Sequence, residues 1–95
     1  MPAPLLSLSE ITARLPSIPL WRTENSELVR TVSFADFRAA LDFVNQVGEL
    51  AESAGHHPDI DIRYNRVRLA LATHSAGGLT QKDFDLAKQI EALTK

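Results

Sequence analysis

The chain's 95 residues suffice for one domain but not for two hydrophobic cores, so we expect a single domain over residues 1–95. Its 12 acidic and 10 basic side chains give a formal charge of −2, which offers no electrostatic basis for binding nucleic acid or an anionic membrane. The absence of cysteine excludes disulfides, cysteine-ligated zinc, iron–sulfur clusters and thiol catalysis.

The N-terminal segment MPAPLLSLSE lacks the basic region and the long apolar run of a signal peptide. No apolar stretch in the chain approaches the ~20 residues that a membrane span needs. We therefore expect a soluble, cytoplasmic protein without a membrane partner.

The first helix is predicted to begin at a serine cap, either Ser7 or Ser9, and to end before Pro16 and Pro19. The following segment, LWRTENSELVRTVSF, has the Thr and Val content of two strands about a turn at residues 24–26. The N-terminal third therefore predicts a helix followed by a hairpin.

Helical periodicity runs from Phe34 to about Ala54. Its apolar positions form two neighbouring stripes, one of Phe37, Leu41, Val44 and Gly48 or Ala51, the other of Ala40, Phe43, Val47 and Leu50. An ordinary surface helix has one apolar stripe, so this helix is expected to pack on a sheet and also against a second copy of the chain. We therefore expect a homodimer or homotetramer.

Gly55 follows this helix as a left-handed cap, and two further strands are predicted, from Asp59 to Tyr64 and from Arg66 to His74. SAGG reads as a loop, and Thr80 caps a last helix with Asp83 in the capping-box position. The order is α-β-β-α-β-β-α. It predicts an α+β two-layer sandwich, with a four-stranded antiparallel sheet and three helices on one face.

All three histidines lie at the ends of predicted elements. His56 and His57 follow the long helix, and His74 ends the last strand. Because a hairpin brings its outer ends together, the HHP segment and the Thr73–Ser75 segment are predicted to be neighbours at one edge of the sheet. Such a cluster suits acid–base catalysis, a metal site or a pH-sensing surface, and incidental loop histidines remain the plain alternative. The adjacent pair is awkward for a metal, since successive side chains in extended chain diverge.

Two acidic residues bear on these histidines or on the last helix. Glu52 lies four residues before His56, so its carboxylate could orient an imidazole, or it could be a solvated charge on the helix surface. Asp83 most simply caps the last helix. No glycine-rich phosphate loop accompanies them, so nucleotide-dependent chemistry is disfavoured.

An ordered set of residues closely resembles the pterin-4a-carbinolamine dehydratases. The set consists of Glu52, His56-His57-Pro58, Tyr64-Asn65, Thr73-His74, Gly78-Leu79-Thr80, Asp83 and Leu86-Ala87. The resemblance extends weakly upstream through Trp21 and covers nearly the whole chain. Two departures are Gly55, where many relatives carry an acidic residue, and Ile60, where an aromatic is frequent.

The resemblance implies a lyase that removes water from 4a-hydroxytetrahydropterin to give quinonoid dihydropterin, in tetrahydrobiopterin recycling. It implies catalysis by His56, His57, His74 and Glu52 without metal or cofactor, with His56 and His74 as the proton-transfer pair. His57 would hold and polarise the pterin, and Glu52 would fix imidazole geometry. The implied substrate-binding residues are His56, His57, Pro58, Thr73, His74, Ser75 and Ala76.

The alternative is a binding module on the same scaffold. Members of this superfamily also act as a dimerisation cofactor for a homeodomain transcription factor, and others as assembly chaperones for a carbon-fixing enzyme. A purely chaperone-type relative is expected to have lost its histidines, and this chain has all three. The enzyme is therefore favoured.

Overall fold

A computed structural model describes residues 3–94 and contains three α-helices and one four-stranded sheet. The elements are α1 (Leu8–Arg14), a 3₁₀ turn (Leu15–Ser17), β1 (Arg22–Glu24), β2 (Glu27–Ser33), α2 (Phe37–Ala54), β3 (Asp59–Arg63), β4 (Arg66–Leu71), a second 3₁₀ turn (His74–Ala76) and α3 (Gln81–Leu93). The predicted α+β class and element order are confirmed. Within residues 3–94, no helix is both long and apolar enough to span a membrane.

Helix α1 begins after Ser7, the first of the two predicted caps. The Ser7 hydroxyl accepts a hydrogen bond from the Glu10 amide at 3.2 Å, and the Glu10 carboxylate accepts one from the Ser7 amide at 2.8 Å. This reciprocal pair satisfies two amides that the helix leaves without partners. The helix then passes into a 3₁₀ turn that contains Pro16.

The strands pair in the order β1-β2-β4-β3, and every pair is antiparallel. The β1–β2 turn is made by Asn25 and Ser26, both with positive φ, as the right-handed twist of a tight hairpin requires. In β4 the buried Val67, Leu69 and Leu71 alternate with residues that face away from the helices. The sheet therefore has one apolar face covered by helices, as the sequence pattern indicates. On the other face the paired Val29 and Ala70 are also buried.

Two predicted boundaries are wrong by three residues. Helix α2 begins at Phe37 rather than Phe34, because the Phe34 amide still donates to the Asn65 carbonyl and Asp36 caps the helix through the Ala39 amide. Strand β4 ends at Leu71 rather than at His74.

The chain after β4 folds back on itself, so the loop predicted for SAGG is partly a 3₁₀ turn. Thr73 forms a bridge with Gly78, and its carbonyl accepts from the amides of Ala76 and Gly77. These bonds hold the segment from His74 to Ala76 in a tight turn. His74 therefore stands on a short, hydrogen-bonded turn beyond the strand.

The two apolar stripes of α2 have different surroundings. In the second stripe Ala40, Phe43 and Val47 are buried and Leu50 is partly buried against the core, and Ala51 of the first stripe is buried as well. Phe37 and Leu41, also from the first stripe, remain 46% and 37% exposed. The wide apolar face of α2 is therefore only partly covered within one chain.

Candidate active site

Asp83 is a fully buried carboxylate at the start of α3, and it receives three hydrogen bonds. Its Oδ2 accepts from the Thr80 amide at 2.9 Å and from the Thr73 hydroxyl at 2.8 Å. Its Oδ1 lies 2.5 Å from Nε2 of His56. Because an ionised carboxylate is costly to bury without such partners, these bonds fix the relative positions of α3, the Thr73 segment and His56.

His56 is brought to Asp83 by the way α2 ends. Gly55 adopts φ of 62°, the left-handed conformation expected of it, and the His56 amide donates to the Ala51 carbonyl at 3.2 Å. The imidazole is only 12% exposed. An Nε2–H that donates to Asp83 leaves the lone pair of a neutral ring on Nδ1, which is the tautomer that a base held by a carboxylate requires.

The Glu52 carboxylate contacts His57, although the four-residue spacing predicts that it lies nearest His56. Nε2 of His57 lies 2.5 Å from Glu52 Oε2, and the two side chains are 60% and 76% exposed. The four-residue helical spacing no longer applies beyond the left-handed turn at Gly55, which turns His56 inward and leaves His57 at the surface. The two neighbouring imidazoles therefore have different carboxylates and different solvent exposure.

His74 is an exposed residue in a cleft of about 260 Å³. The β1–β2 turn forms the opposite wall of this cleft. The lining residues are Asn25, Ser26, Glu27, Ala72, His74, Gly77 and Gly78. Among the larger clefts of the described residues, two of about 540 and 580 Å³ lie along α2 and one of about 290 Å³ lies across β2, β3 and β4. None of these is lined by a histidine.

The predicted proximity of the HHP and Thr73 segments is confirmed, because Asp83 bonds to both His56 and Thr73. Thr73 is buried, and its hydroxyl forms hydrogen bonds with Asp83 and Thr80. Its side chain therefore helps to position Asp83.

Sequence reasoning gave Asp83 a capping role alone and missed its bond to His56. The available signal was that a capping carboxylate has two oxygens and the cap requires only one of them. Within the part of the chain that the structure describes, no cluster of three or more histidine, aspartate or glutamate side chains is placed to hold a metal ion.

A family model described as Pterin 4 alpha carbinolamine dehydratase matches residues 4–93. A relative from Acidobacterium capsulatum is 64% identical over 88 residues, which cover 93% of this chain and 96% of the relative. One from Chloroflexus aurantiacus is 61% identical over 90 residues, covering 95% of this chain and 97% of the relative. Both are named after pterin-4-alpha-carbinolamine dehydratase.

Two solved structures resemble this chain in fold. A transcriptional coactivator/pterin dehydratase from Brucella melitensis superposes with a TM-score of 0.90 at 34% identity, over 95% of this chain and 98% of that one. A pterin dehydratase-like protein identified as a RuBisCO assembly factor in the alpha-carboxysome superposes with a TM-score of 0.62 at 20% identity, over 77% of this chain and 84% of that one. The second likeness concerns the fold alone.

Proposed function

This chain belongs to the pterin-4a-carbinolamine dehydratase family, and we propose that it is a cytoplasmic hydro-lyase converting 4a-hydroxytetrahydropterin to quinonoid dihydropterin in tetrahydrobiopterin recycling. The observation that carries the proposal is the buried pair of His56 and Asp83 beside the segment that bears His74. It supplies a positioned base, and the same carboxylate bonds to Thr73, the residue directly before His74.

The reaction breaks the bond between C4a and its hydroxyl oxygen. One group must protonate the departing oxygen, so that water leaves, and another must take a proton from a ring nitrogen. We assign the base role to Nδ1 of His56, because Asp83 holds Nε2–H and stabilises the positive charge that develops on the ring. His74, exposed on its turn, then acts as the acid, and each group contributes about 10²–10⁴-fold.

His57 and Glu52 have a second role in this scheme. Their exposed pair can hold and polarise the bound pterin, with Glu52 setting the orientation of the imidazole. Pro58, Ser75 and Ala76 flank the two histidine segments and are assigned to the walls of the binding site. The side chain of Thr73 is assigned to support Asp83.

The test is to mix purified protein with the carbinolamine and to follow dehydration by absorbance. His56→Ala and His74→Ala are each expected to slow turnover by about 10²–10⁴-fold, with circular dichroism unchanged. Near-normal turnover in both variants would refute the assignment of these residues. No acceleration over buffer by the unmodified protein would overturn the activity and favour a non-catalytic binding module on this fold.

We further propose that the exposed apolar surface of Phe37, Leu41 and Tyr64 is covered by a second copy of the chain. These side chains are 46%, 37% and 67% exposed and line one cleft of about 580 Å³. Light scattering at micromolar concentration is expected to give the mass of a dimer or tetramer, and Leu41→Glu is expected to lower it. A monomeric mass for the unmodified protein would contradict this assembly.

A further inference from the structure

Glu27 stands at a position that the fold itself does not favour for a carboxylate. In the β1–β2 hairpin it lies directly opposite Glu24, and like charges in opposed positions destabilise a strand pair. Glu24 is satisfied, since it accepts from Arg22 at 3.0 Å and from Arg68 at 3.2 Å. Within residues 3–94, the Glu27 carboxylate has no side-chain hydrogen bond or ion pair of this kind.

The same carboxylate belongs to the cleft that contains His74. Asn25 and Ser26, with φ of 52° and 62°, form the tight turn that sets the start of β2 and so places Glu27 against this cleft. None of the other lining residues carries an ionisable group. The cleft therefore has one titratable imidazole on one side and one carboxylate on the other.

The imidazole of His74 and the carboxylate of Glu27 suit the two ends of a pterin ring system. The reacting carbon and its hydroxyl belong near His74, the proposed acid, whereas the pyrimidine ring presents the 2-amino group and the adjacent N3–H as two parallel donors. A carboxylate accepts two parallel hydrogen bonds with good geometry, as it does from a guanidinium group. A flat ring lying across the cleft would bring its donor edge to the wall opposite His74.

We propose that Glu27 binds the 2-amino and N3–H edge of the substrate and thereby selects 2-amino pterins. The inference rests on the proposed function and adds a specificity residue from the β1–β2 turn, outside the two histidine segments.

The first test compares Glu27→Gln with Glu49→Gln, a matched charge change at an exposed position on α2. Glu27→Gln is expected to raise KM for the carbinolamine by about 10- to 100-fold, because a charge-assisted pair is lost, and to leave kcat nearly unchanged. Its melting temperature is expected to stay equal or rise, since the repulsion with Glu24 is removed. Glu49→Gln is expected to leave KM and kcat unchanged.

A second test uses unreactive ligands and calorimetry. The unmodified protein is expected to bind pterin more tightly than lumazine, which carries an oxygen in place of the 2-amino group. Glu27→Gln is expected to lose this preference, because the glutamine amide can donate to that oxygen.

The outcomes separate the two proposals. If the unmodified protein dehydrates the carbinolamine but Glu27→Gln keeps the same KM and the same ligand preference, the role of Glu27 is wrong and the activity stands. If Glu27→Gln loses activity only because its melting temperature falls, the residue is structural and the inference is also overturned. If the unmodified protein neither dehydrates the carbinolamine nor binds pterin, both proposals fail.

Discussion

Replacing Asp83 by asparagine keeps the size of the side chain and removes its charge. The Thr80 amide and the Thr73 hydroxyl both donate to one oxygen, so the asparagine oxygen is expected to occupy that position. The amide nitrogen then faces Nε2 of His56, where a donor now meets a donor. His56 is therefore expected to move its proton to Nδ1, and the nitrogen that acts as the base loses its lone pair.

The loss of a positioned general base predicts a fall in kcat of about 10²–10⁴-fold. The effect on stability is smaller. Hydrogen bonds to a charged group contribute about 1.5–3 kcal/mol each, against about 1 kcal/mol for neutral ones, and a neutral side chain costs less to bury. A net loss of about 1–3 kcal/mol is expected, compared with about 5–14 kcal/mol for a domain of this length. Most of the variant is therefore folded at 25 °C.

Stopped-flow dehydration kinetics measure the activity, urea denaturation measures stability, and ¹⁵N NMR of the imidazole nitrogens reports the tautomer of His56. Asp85→Asn is the matched control, because Asp85 lies on the same helix, is exposed and bonds only to Gln81 among the hydrogen bonds of the described residues. It is expected to match the unmodified protein in all three measurements. The reasoning is refuted if Asp83→Asn keeps its turnover, or if it loses turnover while His56 keeps its proton on Nε2.

Three other substitutions are predicted to act at single positions. Glu52→Gln is expected to reduce turnover less than tenfold and to change the unfolding free energy by less than about 1 kcal/mol, because exposed ion pairs are screened by solvent. Dehydration kinetics and urea denaturation measure the two effects. A loss of turnover as large as that of Asp83→Asn would contradict this prediction. The hydrogen bond from the Ser7 amide lowers the pKa of Glu10, so its contribution to stability is present above the ordinary pKa of about 4.3 and is lost as pH falls through the folded value. Glu10→Gln should therefore lower the urea midpoint at pH 7, and this difference should narrow in acid; a gap independent of pH would count against it. Gly55→Ala is expected to lower the unfolding free energy by about 1 kcal/mol, because a φ of 62° strains any residue with a Cβ even though no atom obstructs that Cβ. Urea denaturation measures this change, and an unchanged midpoint would show that the turn can adjust.

Local patterns in the sequence were enough to predict most of the elements. The alternation of Val67, Leu69 and Leu71 with Arg66, Arg68 and Ala70 predicts a strand, and the structure confirms it. Gly55 predicts the end of α2 because only a left-handed turn lets the chain leave the helix there. The set of residues from Glu52 to Ala87 was sufficient to identify the family, since its members are close together in the sequence.

The pairing of His56 with Asp83 was decided by the tertiary structure alone. Asp83 reaches His56 across 27 residues, because α3 packs where the left-handed turn after α2 directs that imidazole. Glu27 faces the His74 cleft because β2 lies beside β4 in the sheet order, a register that no local pattern of either strand specifies. Periodicity reports only which face of its own element a residue occupies, whereas the chemistry of this site depends on which residues of different elements meet.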